Sequence, residues 1–226
     1  MDRSPEEERV LQQKCNEDRD ILMEQIINLY PESQGQPPSA LVEDIIHDIC
    51  EFTVVDRPLS LGQLALCDFG RKMILVNSKT RTFVHHKVNL DTLRKSTLAH
   101  ELGHIRLHQT EMTEKLFISY HGSGGRFDDS RAIQKEHEAN LYAALFLLPE
   151  QELRATRPIQ NLLKNREDGR EMKSSTLWKS VYQLSQIFGV TPTLLKRRLI
   201  ELGWINQQEA TYESLHQLRL YFENAR

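Results

Sequence analysis

No stretch of this chain of 226 residues approaches the roughly 18–20 consecutive apolar residues that cross a bilayer. The N-terminus, MDRSPEEERV, is acidic and lacks the basic-then-apolar layout of a secretory signal. Together these absences lead one to expect a soluble protein of the cytoplasm. Cysteine is scarce. Cys15, Cys50 and Cys67 are scattered, odd in number and without a C-x-x-C pair, which excludes a disulfide framework and a cysteine zinc knuckle. They are expected to be buried or incidental thiols in a reducing compartment. Charge of one sign is lacking too: the net −3 argues against a protein that coats nucleic acid unaided. There is no internal repeat. What remains is ordinary soluble composition and enough length for one domain with an appendage.

Residues Pro5 to Leu29 read as one charged helix with few apolar positions, among them Val10, Ile21, Ile26 and Leu29. PESQGQPPS, residues 31 to 39, is a turn-rich linker. Ala40 to Cys50 is a short amphipathic helix with Leu41, Ile45, Ile46 and Ile49 on one side. Strands are expected at Phe52 to Val55, Leu64 to Asp68 and Met73 to Val76, the last two joined as a hairpin through Phe69-Gly70-Arg71, with a further strand at Thr82 to His86. Such a sheet offers an edge that an extended peptide can join. Phe117 to Asp129, with Gly122, Gly124 and Gly125, reads as a loop.

The segment His100-Glu101-Leu102-Gly103-His104 carries the chemistry. Residues four apart on a helix lie about 40° apart around the axis and roughly 6 Å along it, so both imidazoles can face one ion. Glu101 can then take a proton from a water that the metal has made acidic, which is the chemistry of metallopeptidases. Leu98, Leu102 and Ile105 form an apolar stripe on another side of the helix, so one side can dock on a core while the other holds a metal. Gly103 costs about 1 kcal/mol relative to alanine in a helix, which suggests a close neighbour or ligand there. His108 continues the series but lies roughly 12 Å along the axis from His100, too far to share its ion. It is expected to stand behind a ligand or at the surface.

A third ligand is therefore expected from a second helix. SRAIQKEHEANLYAALFLL, Ser130 to Leu148, begins with a capping serine and ends at Pro149. Glu136 shares a face with Ala132, Ala139, Asn140 and Ala143, small neighbours that let two helices approach around a metal. Glu138 points away from that face and is the weaker choice. His85 and His86 are adjacent and face opposite ways in a strand, so they read as surface residues. Tyr120 and His121 are outside candidates for stabilising an oxyanion.

HELGHIRLH, followed about 30 residues later by EHEANLYAALFLLPE, resembles the ImmA/IrrE family of zincin-like metallopeptidases. GQLALCDFGRKMILVNSK is similar to the hairpin that precedes the metal helix in that family. Tyr142 and Leu148 are mild departures, where the family pattern has phenylalanine and methionine. The resemblance, from about Leu41 to Gly203, implies that His100, His104 and Glu136 bind the metal and that Glu101 is the general base. It implies an α+β fold with a zincin-like domain: a small sheet, the HExxH helix and a second ligand-bearing helix. It also implies cleavage of helix-turn-helix repressors of stress responses or mobile elements. Zinc is the expected cofactor; two imidazoles and a carboxylate also tolerate manganese.

VYQLSQIFGVTPTLLKRRLIELGW has the pattern of a helix, a turn at Gly189, a threonine cap at Thr191 with Pro192 behind it, and a second helix. Leu184, Ile187, Val190, Leu194, Leu195 and Leu199 are the expected core of this helix-turn-helix-like region. Lys196, Arg197 and Arg198 carry the case for DNA. Docking a substrate protein or bracing the peptidase is the favoured role, with direct DNA contact the lesser one. Residues 207 to 226 read as a last amphipathic helix. The expected organisation is thus an N-terminal helix and linker (1–39), a metallopeptidase domain (40–156) and a helical C-terminal region (157–226). The alternative is a non-enzymatic zincin-fold regulator that binds a repressor or DNA. A metallohydrolase of small molecules lacks supporting polar motifs.

Overall fold

A computed structural model describes residues 4–84, 89–109, 116–120, 130–169 and 174–206. The first element, α1 (Pro5–Leu29), starts where the sequence puts a complete cap: the Ser4 hydroxyl accepts from the Glu7 amide, the Glu7 carboxylate accepts from the Ser4 amide, and Pro5 occupies the first turn. Its buried stripe is Cys15, Leu22 and Ile26, whereas Val10, Ile21 and Leu29 are exposed. Charged side chains, crowded at Glu6–Arg9 and Glu17–Asp20, limit the apolar positions. The cysteine, small and hydrophobic, completes the stripe instead.

After the linker, α2 (Pro38–Asp44) runs into a π turn at Ile45–Ile49, so the predicted 40–50 helix changes its winding midway. Leu41, Val42, Ile45 and Ile46 are buried. The sheet has four strands, β1 (Thr53–Arg57), β2 (Gln63–Asp68), β3 (Met73–Asn77) and β4 (Leu116–Tyr120), in the order β1-β3-β2-β4. β2 and β3 form the expected antiparallel hairpin, β1 joins β3 in parallel, and β4 joins β2 antiparallel. Alternation on the hairpin buries Ala65, Cys67, Ile74 and Val76 on one face. Cys15 and Cys67 are buried and Cys50 is half-buried.

Two readings of the sequence need correction. Thr80–Thr82 is a single 3-10 turn, and no strand begins at Thr82. The segment expected to be loop from Phe117 holds β4 at its start, and the FISY pattern that signals it is too short to announce itself without a partner. His85, His86, His121 and residues 207–226 lie outside the described residues, as does the side chain of Tyr120.

The two helices that matter are α3 (Leu90–His108) and α4 (Ser130–Leu147). The Asn89 side chain caps α3 by accepting from the amides of Asp91 and Thr92. The predicted stripe of Leu98, Leu102 and Ile105 is buried, and α3 also packs on β2. Gly103 is where α3 meets α4. A Cβ there would come within 3.0 Å of the Ala139 backbone and of the Tyr142 Cβ, so the glycine is what lets α4 lie this close. α1 packs on α4 as well, with the Asp18 carboxylate accepting from the Tyr142 hydroxyl at 2.6 Å and from the Arg106 guanidinium.

The chain divides into two compact units, Met1–Leu147 and Leu148–Arg226. The second contains α5 (Glu150–Ala155), α6 (Arg157–Glu167), α7 (Ser174–Ile187) and α8 (Pro192–Glu201). The Thr191 side chain caps α8 by accepting from the Leu194 amide, and Gly189 takes φ 61° in the turn before it. Leu184, Val190, Leu195 and Leu199 form the core between α7 and α8 as expected, while Ile187 is exposed and Leu194 half-buried. Among the described residues, no helix is long and apolar enough to cross a membrane.

Candidate metal centre

The i, i+4 spacing on α3 places the Nε2 atoms of His100 and His104 3.1 Å apart. From α4, one carboxylate oxygen of Glu136 lies 3.3 Å from His100 Nε2 and the other 3.3 Å from His104 Nε2. Donor atoms held about 2.0–2.1 Å from a tetrahedral ion stand about 3.3–3.4 Å apart along the edges of the tetrahedron. The separations of 3.1 and 3.3 Å are close to that spacing, with one carboxylate oxygen toward each imidazole. His104 is wholly buried and His100 nearly so, and the buried Oε1 of Glu136 accepts no well-aligned hydrogen bond among the described residues. Three electron-pair donors thus converge on one point, and the site fits a divalent cation. Two imidazoles and a carboxylate are a donor set that would suit zinc or manganese. Among the described residues, His100, His104 and Glu136 form the one group of this kind.

Electrostatics favour the same occupant. Burial opposes charge on Glu136, yet the two imidazoles beside it hold its pKa down to about 2. Burial pushes His104 down to about 4, so its ring is neutral at pH 7. His100 moves the other way: desolvation opposes its charge, but Glu136, Glu101 and Asn140 outweigh it and raise its pKa. A proton shared by His100 and Glu136 would compete with a metal ion for the same electron pairs, so a metal held here would displace it.

Each ring is also held from behind. The Oδ1 of Asn140 is 3.1 Å from His100 Nδ1, and the Asn140 amide donates to the Glu136 carbonyl at 2.8 Å, which fixes the side chain with its oxygen toward the ring. His104 Nδ1 is 3.1 Å from His108 Nδ1, and His108 Nε2 is 2.7 Å from Glu138 Oε2. The sequence argument that His108 cannot reach the ion of His100 stands, but the residue is 2% exposed and no surface histidine. Glu138 turns away from the triad as expected and meets His108 instead. His137 is exposed. Of the two places expected for His108, the structure has the one behind His104; what sequence reasoning missed is Asn140 behind His100 and Glu138 behind His108, although the i, i+4 spacing from Glu136 to Asn140 carried a signal.

Glu101 is fully buried beside the first ligand. Its charge raises His100, and burial together with Glu101 and Asp68 pushes the Cys67 thiol on β2 far up.

The basic run on α8 is arranged differently. Arg198 is buried and donates from Nε to the Leu148 carbonyl at 3.2 Å. Arg197 pairs with Glu201 at 3.0 Å, and the Lys196 ammonium lies 5.7 Å from the centre of the Trp178 ring. All three cations have partners inside their own unit.

An α+β unit that draws two imidazoles and a carboxylate together from a pair of helices has the architecture of a metallopeptidase. Residues 54–199 match the Peptidase_M78 model, described as the IrrE N-terminal-like domain, and the chain belongs to that family. Membership supports a peptidase and agrees with the resemblance carried by the HELGH and EHEAN segments. No curated protein matches the chain.

Proposed function

We propose that this protein is a metal-dependent endopeptidase that cuts a partner protein, with His100, His104 and Glu136 as ligands and Glu101 as general base. The observation that carries the reading is the convergence of three donors at 3.1, 3.3 and 3.3 Å with an acid buried beside the first ligand. A purely structural metal site has no use for that acid. When bound, zinc supplies a Lewis acid that polarises a carbonyl and acidifies water. Glu101 takes the proton of the attacking water and returns it to the departing amine nitrogen. Asn140 and His108 keep the two rings oriented. β4, at one end of the strand order, has an edge along which an extended substrate can pair and bring its carbonyl into register. Helix-turn-helix repressors are the substrate class to which the family resemblance points, with derepression as the outcome.

The test is Glu101→Gln in the full chain. It should keep about one equivalent of zinc and lose about 100- to 10,000-fold in cleavage of the cognate repressor. Cleavage at the rate of the native chain by the glutamine variant would end the assignment of Glu101. A native chain that takes up neither zinc nor manganese would end the metallopeptidase reading and favour a regulator that only binds.

A further inference from the structure

We propose that His108 and Glu138 are a positioning pair that locks the His104 ring in the tautomer a metal requires, an assignment that rests on the metal centre proposed above. A carboxylate only accepts hydrogen bonds, so the 2.7 Å contact between Glu138 Oε2 and His108 Nε2 places the His108 proton on Nε2. With His108 neutral in this relay, its one N–H is the one on Nε2 and its Nδ1 is an acceptor. His104 Nδ1 stands 3.1 Å from that acceptor and must bring the hydrogen. The lone pair of His104 is then on Nε2, the atom that faces His100 and Glu136. The opposite neutral tautomer would set two lone pairs against each other at Nδ1 and aim an N–H at the ligand cluster.

Three features make the pair more than packing. Burial is the first: His108 is 2% exposed, so water is a poor substitute for either contact. Second, Gln134 Nε2 donates to the other oxygen of Glu138 at 3.1 Å and holds the carboxylate in place. Third, the two ligand rings are treated differently. His100 is backed by the neutral amide of Asn140, which orients it. His104 is backed by an imidazole that is itself backed by a carboxylate, which orients the ring and makes its nitrogen more basic. Spacing explains why the relay has this shape. His108 is one turn beyond His104, out of reach of the ion but in reach of the far nitrogen of the ring, and Glu138 follows Glu136 by two residues on α4.

The test uses the full chain and two readouts, zinc affinity by competition with a chromophoric chelator and ring tautomers by 15N NMR of the metal-free protein. His108→Leu should weaken zinc binding about 10- to 100-fold. His108→Gln should stay within about threefold, because its amide oxygen and nitrogen can replace the acceptor and the donor of the ring. Glu138→Gln should fall between them, since it keeps an acceptor and loses the charge. NMR should find the Nδ1–H form at His104 and the Nε2–H form at His108. The proposal is overturned if the leucine variant binds zinc as the native chain does, if glutamine falls as far as leucine, or if His104 carries its proton on Nε2. Should His108→Leu fail to fold, the tautomers and Glu138→Gln decide. A native chain that bound no zinc would end the metal-centre reading, while the tautomers would still decide the relay.

Discussion

The helix pair α3/α4 and the helix α8 each carry a cluster of basic side chains, three histidines in one and Lys196-Arg197-Arg198 in the other. In the first, spacing of four residues stacks the rings on one face, and a second helix brings carboxylates to meet them. In the second, consecutive residues fan out by about 100° each around the axis, so the three cations diverge to a carbonyl, a carboxylate and an aromatic ring. Residue type alone made both clusters look functional. Spacing separates them, because a site needs groups that converge.

The difference is broken most directly at the convergent end. Glu136→Ala removes one of three donors and should lower zinc affinity by more than the roughly 100-fold that loss of a partner behind a ligand costs. Equilibrium dialysis against zinc checks it. Binding unaffected by the change would mean that the 3.3 Å contacts to His100 and His104 are simple ion pairs, and the two clusters would then be alike.

At the divergent end the largest effect should come from Arg198, the buried member. Arg198→Ala removes a charged donor and leaves the Leu148 carbonyl to find another partner, at a cost of about 2–3 kcal/mol in a urea melt. Its pKa is lowered by burial, which marks a side chain placed for structure. A variant with unchanged stability would restore Arg198 as a candidate for external contacts.

Gly103→Ala tests how convergence is achieved. The added Cβ would meet the α4 backbone at 3.0 Å, so α4 must shift by a few tenths of an ångström, at about 1–3 kcal/mol. Because Glu136 and Glu138 both ride on α4, zinc affinity should fall along with stability. A stable variant with full zinc affinity would show that the close approach serves packing only.

The sequence made the convergent cluster legible because its information is local. HExxH on a helix brings two imidazoles to one face by geometry, and EHEAN on the next helix supplies the carboxylate that meets them. The hairpin was legible from alternation and a turn, and α7 and α8 from capping chemistry at Thr191. What could not be read was set by contacts distant in sequence. β4 exists because β2 offers it an edge. Asp18 joins α1 to Arg106 on α3 and Tyr142 on α4 across 88 and 124 residues, which no local pattern announces. Asn140 and Glu138 were visible as polar residues, but their partners depend on how closely Gly103 lets the helices pack.

The smallest expected effect belongs to Lys196 and Arg197, and it sharpens the comparison furthest. The Arg197–Glu201 pair is half-exposed and one turn apart, worth about 0.3–0.5 kcal/mol. The Lys196–Trp178 contact adds about 0.5–1 kcal/mol. The double variant K196A/R197A should therefore lose little more than about 1 kcal/mol in a thermal melt. A DNA-reading helix would behave otherwise. Each phosphate contact contributes about 0.9 to the slope of log affinity against log salt, so removing two contacts would flatten that slope by nearly two. Fluorescence anisotropy of a labelled duplex across a salt series reads it. The expected result is no slope to flatten, because the cations of α8 are already engaged within their own unit. A slope that falls by two in the double variant would show that cations which diverge inside one unit can still act together on a polyanion.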